Sequence, residues 1–330
     1  PGGEEDKTGK TQLWVLALSG GEARPVTRLE RSVQDFGWVD EKTLILVAQE
    51  APSLWEQQRK EAKDTSQVVD DAEHEPPVRL FRVRLGETGV EPLTRNSDWI
   101  SEIAVSPDGR YAVVTAQQSL SYEFDQKVPP HTRLVDLATG EERQLLADGR
   151  LLPNAMQWAP DSQGFYFIDQ FTRHPVYRNA TVSELWLYPL SAGEPERVEM
   201  EWPAGLGRGY EAIEGGVLVL LADGVRYRPA RIDRQGTGWS RTDLTGEHVA
   251  NLDRLVASPD GSRVAYEYST SNVPGQWYGA ALSGARVEQV QRLTDLNPSF
   301  AEKTTGRTDV IRWKGALGEE VEGLLHFPLG

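Results

Sequence analysis

The 330-residue chain has no cysteine, which excludes disulfides and thiolate metal sites and leaves the cellular compartment unreadable from redox usage. It also lacks any long apolar run, so no segment reads as a membrane-spanning helix. Basic residues are outnumbered, 35 Lys plus Arg against 50 Asp plus Glu for a formal charge of −15, and they form no cluster. A nucleic acid partner needs a basic face and is therefore not expected. The five histidines, His74, His131, His174, His248 and His326, are scattered without metal-ligand spacing and read as loop or surface residues. The Gly-x-Ser-x-Gly elbow of a serine hydrolase is missing too. Its nearest approach, Gly238-Trp239-Ser240-Arg241-Thr242, lacks the second glycine and falls inside a predicted hairpin. No catalytic residue, metal or cofactor is expected in this chain.

What is present is repetition. "SPDG" occurs at Ser106–Gly109 and again at Ser258–Gly261, with "APDSQG" at Ala159–Gly164 as a weaker copy. Pro sets φ for a type I turn, Asp caps it and Gly takes the left-handed position that follows. The flanks, "RYAVVTA" and "SRVAYEY", are rich in β-branched and aromatic residues, so each copy reads as a hairpin turn. The prolines at 107, 160 and 259 are spaced by 53 and 99 residues, a period near fifty and nearly twice it.

A second hairpin recurs in "LWVLALSGGEARPVT" (Leu13–Thr27), "LFRVRLGETGVEPLT" (Leu80–Thr94), "RLVDLATGEERQLL" (Arg133–Leu146) and "LWLYPLSAGEPERV" (Leu185–Val198), with looser copies at Tyr227–Leu244 and Trp277–Thr294. First-type hairpins, at about 33–48, 100–116, 154–169, 210–221 and 252–268, alternate with these. Two hairpins make a four-stranded unit, and such a unit repeated at this period is the signature of a β-propeller blade. The expected fold class is therefore all-β, a β-propeller with six recognisable blades, seven being plausible in an intact protein. The first blade is expected to be incomplete, because the polar stretch "PGGEEDKTGK" leads directly into a second-type hairpin.

Beyond Thr294, the polar segment "DLNPSFAEKTTGRT" leads to "DVIRWKGALGEEVEGLLHFPLG", a hairpin of neither type. A propeller leaving through "IRWKGALGEEVEGLLHFP" resembles the prolyl oligopeptidase family of serine peptidases, in its acylaminoacyl peptidase branch. The resemblance covers essentially the whole chain but only the non-catalytic half of the family pattern. It implies a propeller at 1–295, a linker at 296–307 and the first hairpin of a truncated α/β-hydrolase domain at 308–330. It also implies that the catalytic triad lies downstream, that the propeller gates access for short peptides or acyl-aminoacyl peptides, and that this fragment alone is inactive. Expected partners are a peptide substrate, the chain's own C-terminal hydrolase domain and a further copy in a homo-oligomer; a cytoplasmic setting is the working expectation. The alternative is a non-enzymatic, protein-binding propeller of Tol type, since those proteins use the same turn.

Propeller topology puts the short turns of both hairpin types on one face and the long connections, at about 49–78, 117–131 and 170–184, on the other, where the chain also exits. Variable loops on a rigid scaffold are where binding usually resides. The stretch 56–75 is mostly charged and reads as a solvated excursion in preference to a docking or gating flap, while Tyr122 and Phe124 fit a binding loop and a cap on a blade core equally well. The third connection gathers Arg173, His174, Tyr177 and Arg178 within six residues, and these are the candidate substrate-binding residues. Arg173 or Arg178 is expected to hold a peptide carboxylate through its bidentate fork.

Overall fold

The computed structural model describes residues 9–66, 71–87, 89–172, 181–303 and 305–329. The chain forms two compact units, 1–158 and 159–330.

In the first unit, β1 (Trp14–Val15) and β2 (Arg24–Pro25) form a short hairpin of their own. The strands β3 (Val33–Trp38), β4 (Thr43–Gln49), β5 (Val78–Arg84) and β6 (Glu91–Pro92) then run as one antiparallel meander. A second meander follows with β7 (Trp99–Val105), β8 (Tyr111–Gln117), β9 (His131–Asp136) and β10 (Glu142–Leu145). The two meet at a single bridge, Val78 opposite Trp99, and β11 (Asn154–Trp158) ends the unit. The long connections carry the helices α1 (Leu54–Glu61) and α2 (Tyr122–Asp125).

The second unit repeats the plan. Strands β12 (Gly164–Phe171), β13 (Val182–Pro189) and β14 (Glu196–Arg197) meander, and a bridge from Ser183 to Leu206 leads into β15 (Leu206–Ile213), β16 (Gly216–Asp223), β17 (Arg226–Gln235) and β18 (Gly238–Asp243). After β19 (Thr245–Gly246) come β20 (Leu252–Ala257), β21 (Arg263–Thr270), β22 (Val273–Ser283) and β23 (Arg286–Arg292). Strand β23 pairs with β22 on one side and with the short β19, in parallel, on the other. The last pair, β24 (Thr308–Lys314) and β25 (Glu320–His326), bonds only to itself.

The second strand of each meander explains the packing. In β4, "TLILVAQ", and β8, "YAVVTAQ", the five central residues are all buried, so both faces of the strand are covered. A strand covered on both faces reads as a continuous apolar run, which is why alternation is only partial at these positions. Ile45 and Val47 on one meander pack with Ala112 and Val114 on the next in a shared core. In the second unit Tyr166 and Leu187 pack with Val217, Val219 and Ile232 in the same way.

The turns behave as their residues require. Ser106 Oγ donates to Asp108 at 2.6 Å and accepts from the Tyr111 amide at 2.9 Å, and Ser258 repeats both contacts with Asp260 and Arg263. These bonds, led by that from Ser258, hold the Asp260 carboxyl down at about 2. Three of the second-type hairpins share a latch: the hydroxyls of Thr27, Thr94 and Thr294 accept the amides of Leu13, Leu80 and Trp277 and donate to Gln12, Asn96 and Gln276.

Candidate functional site

The four candidates from the third long connection, Arg173, His174, Tyr177 and Arg178, lie outside the described residues. The ends of that connection are tied together, with Gln170 donating to Ser183 Oγ at 2.8 Å and accepting from Thr181 Oγ1 at 2.6 Å.

The first long connection is more ordered than its charge suggested. Ser53 and Glu56 form a capping box that starts α1, Ser53 Oγ accepting the Glu56 amide and the Glu56 carboxylate accepting the Ser53 amide. Arg31 clamps the same carboxylate with bonds of 2.5 and 2.6 Å. Burial works against the charge of Glu56, but these bonds outweigh it and leave its carboxyl below the usual range. Trp55 stacks on His74 with ring centres 4.3 Å apart, and the Arg59 guanidinium lies 4.7 Å from the Trp55 ring centre. Together they wall an open groove of about 580 Å³. Of its lining side chains, Arg59 bonds Asp64 at 2.9 Å and His74 bonds Asp71 at 2.9 Å.

The second connection rests on a charged node. Asp98 accepts from His131 Nε2 and from Arg133, both at 2.8 Å, and Arg133 pairs also with Glu142 at 2.7 Å. This anchors the start of β9 beneath the loop. Phe124 is 83% exposed and Tyr122 half-buried, so of the two readings a cap on the blade core does not hold for Phe124. Phe124 stands on the single-turn helix α2, which Ser121 precedes.

Carboxylates on the first strands of the meanders were not anticipated. Asp35 on β3 accepts from the Ile103 amide at 3.3 Å, and Glu102 on β7 accepts from the Met156 amide at 2.8 Å. Each carboxylate thus bonds a backbone N–H on the next first strand. In the second unit Glu211 on β15 does the same with the Ala257 backbone. Burial raises both glutamates: Glu102 sits above its ordinary value, with Asp35 adding repulsion, and Glu211 is pushed up to about 7. Glu211 borders a cleft of about 250 Å³ with Arg208, Arg254 and Trp277, where Arg208 leans 3.7 Å from Asp253 and Arg254 3.5 Å from Glu267. A carboxyl poised near neutrality can trade protons there, but no serine, threonine or cysteine accompanies it among the lining residues. The one signal in the sequence was an acid inside an otherwise apolar strand, "GYEAI".

Ser240 lies on β18 opposite Asp233 with no imidazole bonded to it among the described residues, in keeping with a structural role. Among those residues no group of three or more His, Cys, Asp or Glu side chains is placed to hold a metal, and no helix is long and apolar enough to cross a membrane. His248 lies in a turn, within the expectation of loop or surface histidines, but its ring is packed rather than free. Its ring is stacked on Tyr268 at 4.0 Å, meets Tyr278 edge-on at 4.4 Å, and bonds the Tyr266 hydroxyl at 3.1 Å. The left-handed backbone at this residue, φ 70°, turns the ring inward onto the tyrosines.

No protein-family model matches the chain, and no curated protein matches it in sequence. Solved structures do. A puromycin-hydrolyzing peptidase of Mycobacterium tuberculosis aligns with TM-score 0.59 at 16% identity, over 96% of this chain and 47% of that one. A puromycin hydrolase complexed with PGG gives 0.58 at 17%, again over 96% of this chain and 47% of the other. A putative TolB from Agrobacterium tumefaciens gives 0.50 at 15%, over 93% and 95%. The chain therefore spans about half the length of the two hydrolytic proteins and nearly all of the TolB-type one. With its successive four-stranded meanders and these structural likenesses, the chain has the β-propeller fold.

Proposed function

We propose that this chain is the propeller portion of a serine peptidase of the prolyl oligopeptidase family, in its acylaminoacyl peptidase branch, acting on short peptides or acyl-aminoacyl peptides. Six blades occupy 1–295, the propeller restricts access, and the triad resides in a hydrolase domain that the hairpin at 308–330 opens. The observation that carries this reading is the hairpin itself. Strands β24 and β25 pair only with each other, yet they carry Val310, Ile311, Trp313, Leu324 and Leu325 with exposed side chains. An isolated two-stranded hairpin is marginal in water and needs a covering layer. Near its turn it touches the rest of the second unit, where Glu322 accepts the Val225 amide at 3.0 Å and pairs with Arg312 at 2.6 Å. A hairpin that joins no larger sheet and leaves these apolar side chains exposed suits the first element of a further domain. Within this reading Arg173 and Arg178 remain the candidates for holding a substrate carboxylate.

The alternative, a binding propeller without catalysis, draws on the match to 95% of the TolB-type chain. One experiment separates the two. A protein continuing past β25 should hydrolyse acyl-aminoacyl or short peptide substrates and be inactivated by a serine-directed phosphonate, while residues 1–330 alone should not turn over. Absence of turnover and of phosphonate labelling in the longer protein overturns the peptidase reading. Turnover by 1–330 that Ser240→Ala abolishes would place catalysis inside the propeller instead.

A further inference from the structure

The second unit contains a cleft whose origin is the length of one turn. In the hairpin β7–β8 five residues, 106–110, join the strands, and Gly109 lies directly over the preceding meander. A Cβ on Gly109 would come 2.5 Å from the Val39 carbonyl oxygen. The matching turn of β20–β21 sits on Ile213 in the same way, with a Cβ on Gly261 reaching 3.1 Å from the Ile213 side chain. The hairpin β15–β16 is different. Ile213 pairs with Gly216, so Glu214 and Gly215 alone make the turn, and nothing lies within 4 Å of where a Gly215 Cβ would be. The seat that a longer turn would fill is left as a cleft of about 420 Å³.

Its walls are apolar on one side and acidic on the other. Pro160, Leu187, Pro189 and Ile213 line it together with the Tyr166 ring, and Asp161 and Glu214 supply carboxylates. Tyr166 is only 4% exposed, and among the described residues its hydroxyl makes no hydrogen bond. The residue borders the cleft, so the hydroxyl is available to a ligand there. Burial pushes the phenol up to about 12, so it stays neutral and can donate or accept. The one cation at the rim, Arg234, is already neutralised by Glu196, its second nitrogen bonding at 3.1 Å, and it lies over Trp239 at 5.4 Å. Asp161 uses one oxygen to accept the Gln163 amide at 2.9 Å. Glu214 has no side-chain partner among the described residues. The cleft thus combines apolar lining, a phenol hydroxyl without a protein partner among the described residues and two carboxylates, in a chain of net charge −15.

We propose that this cleft binds a small organic cation: a primary ammonium carried on an aromatic or branched apolar body, with the ammonium at Asp161 and Glu214, the body against Pro160, Leu187 and Ile213, and a polar atom of the ligand completing the Tyr166 hydroxyl. The proposal stands apart from the peptidase reading, because the cleft lies beside the short turns and uses none of the long connections.

Phenethylamine and its charge-reversed counterpart 3-phenylpropionate are suitable probes for the 330-residue chain, followed by ligand-observed NMR and calorimetry at millimolar concentration. The amine should bind and the acid should not. Glu214→Gln and Asp161→Asn should each weaken the amine by about tenfold, as expected for loss of a charge-assisted hydrogen bond. Tyr166→Phe should weaken only amines whose body carries a hydrogen-bonding group, and replacing Glu214 and Gly215 by a four-residue Ser-Pro-Asp-Gly turn should abolish binding while the circular dichroism spectrum is retained. Equal binding of amine and acid, no amine binding at all, or an affinity unchanged in both carboxylate variants overturns the proposal.

Discussion

Strands β12 and β24 belong to the same unit and both stand in antiparallel hairpins, yet they differ in almost everything that matters for stability. In β12, "GFYFIDQF", the first six residues are buried; in β24, "TDVIRWK", none is. Both ladders are complete, and β24 pairs residue for residue from Thr308 with His326 to Lys314 with Glu320. Backbone pairing alone therefore does not bury a strand; the neighbouring sheet does. Since a net hydrogen bond contributes only about 1 kcal/mol and a buried Phe several, the cover decides the energetics.

The sharpest way to break this comparison is truncation on each strand. Phe167→Ala removes a ring with no exposure that lies beside Phe165 and Trp186, and it should cost about 3–5 kcal/mol in urea unfolding. Trp313→Ala, on a side chain 47% exposed, should cost under about 0.5 kcal/mol in this chain. Comparable losses at both positions would mean that β24 is covered and would remove the main support for a following domain.

Much of the fold was legible because the propeller repeats a few chemically distinctive turns. The strands flanking SPDG and its copies fall at Trp99–Val105 with Tyr111–Gln117 and at Leu252–Ala257 with Arg263–Thr270, within a few residues of the expected hairpins. Helix α1 was missed although its capping box, Ser53 and Glu56, is written in the sequence; the charged run after it drew the reading toward a solvated excursion. The site was less legible, for a physical reason. Nothing local marks Glu211 as titrating near 7, because its burial comes from β16 and β20, far along the chain. The phenol of Tyr166 likewise lacks a partner only because a turn some fifty residues later is short, and "IEGG" carries that information without saying what lies opposite.

Turn seating offers the next contrast. Gly109 and Gly215 both have positive φ, 68° and 76°, so an alanine is strained at each. Only at Gly109 does the added carbon also collide with a carbonyl. Gly109→Ala should therefore cost about 2–4 kcal/mol and Gly215→Ala about 1 kcal/mol. Equal losses would show that the short turn is packed after all and would argue against an open cleft beside it.

A third test uses pH. The carboxyl of Glu211 rises from an ordinary 4.5 to about 7 on folding, so the folded state favours the protonated form. Its unfavourable effect is absent below about pH 4.5, grows as pH rises through 7 and is constant above. Allowing for its partial exposure, charging Glu211 should cost about 1–2 kcal/mol at pH 8. Glu211→Gln should thus stabilise the chain at pH 8 and leave it unchanged at pH 4.5. A variant stabilised equally at both values would owe its gain to packing.

The smallest effect separates elements held by burial from those held by caps. Helix α1 has eight residues and buries none of them, so neither its length nor a core sustains it. What remains is its first turn, where Ser53 and Glu56 satisfy each other's backbone amides and Arg31 fixes the carboxylate. Ser53→Ala removes one of those acceptors and should weaken the helix by about 1 kcal/mol. Because α1 shares no buried contact with the meanders, the loss should stay local: amide exchange across the helix should speed up about fivefold while the global urea midpoint is unchanged. Glu56→Gln, which keeps a polar group at the box but gives up the ion pair with Arg31, should produce a smaller acceleration that salt diminishes in the parent chain. A shift of the global midpoint by Ser53→Ala would instead make α1 part of the folded core, and its groove a rigid surface of the first unit.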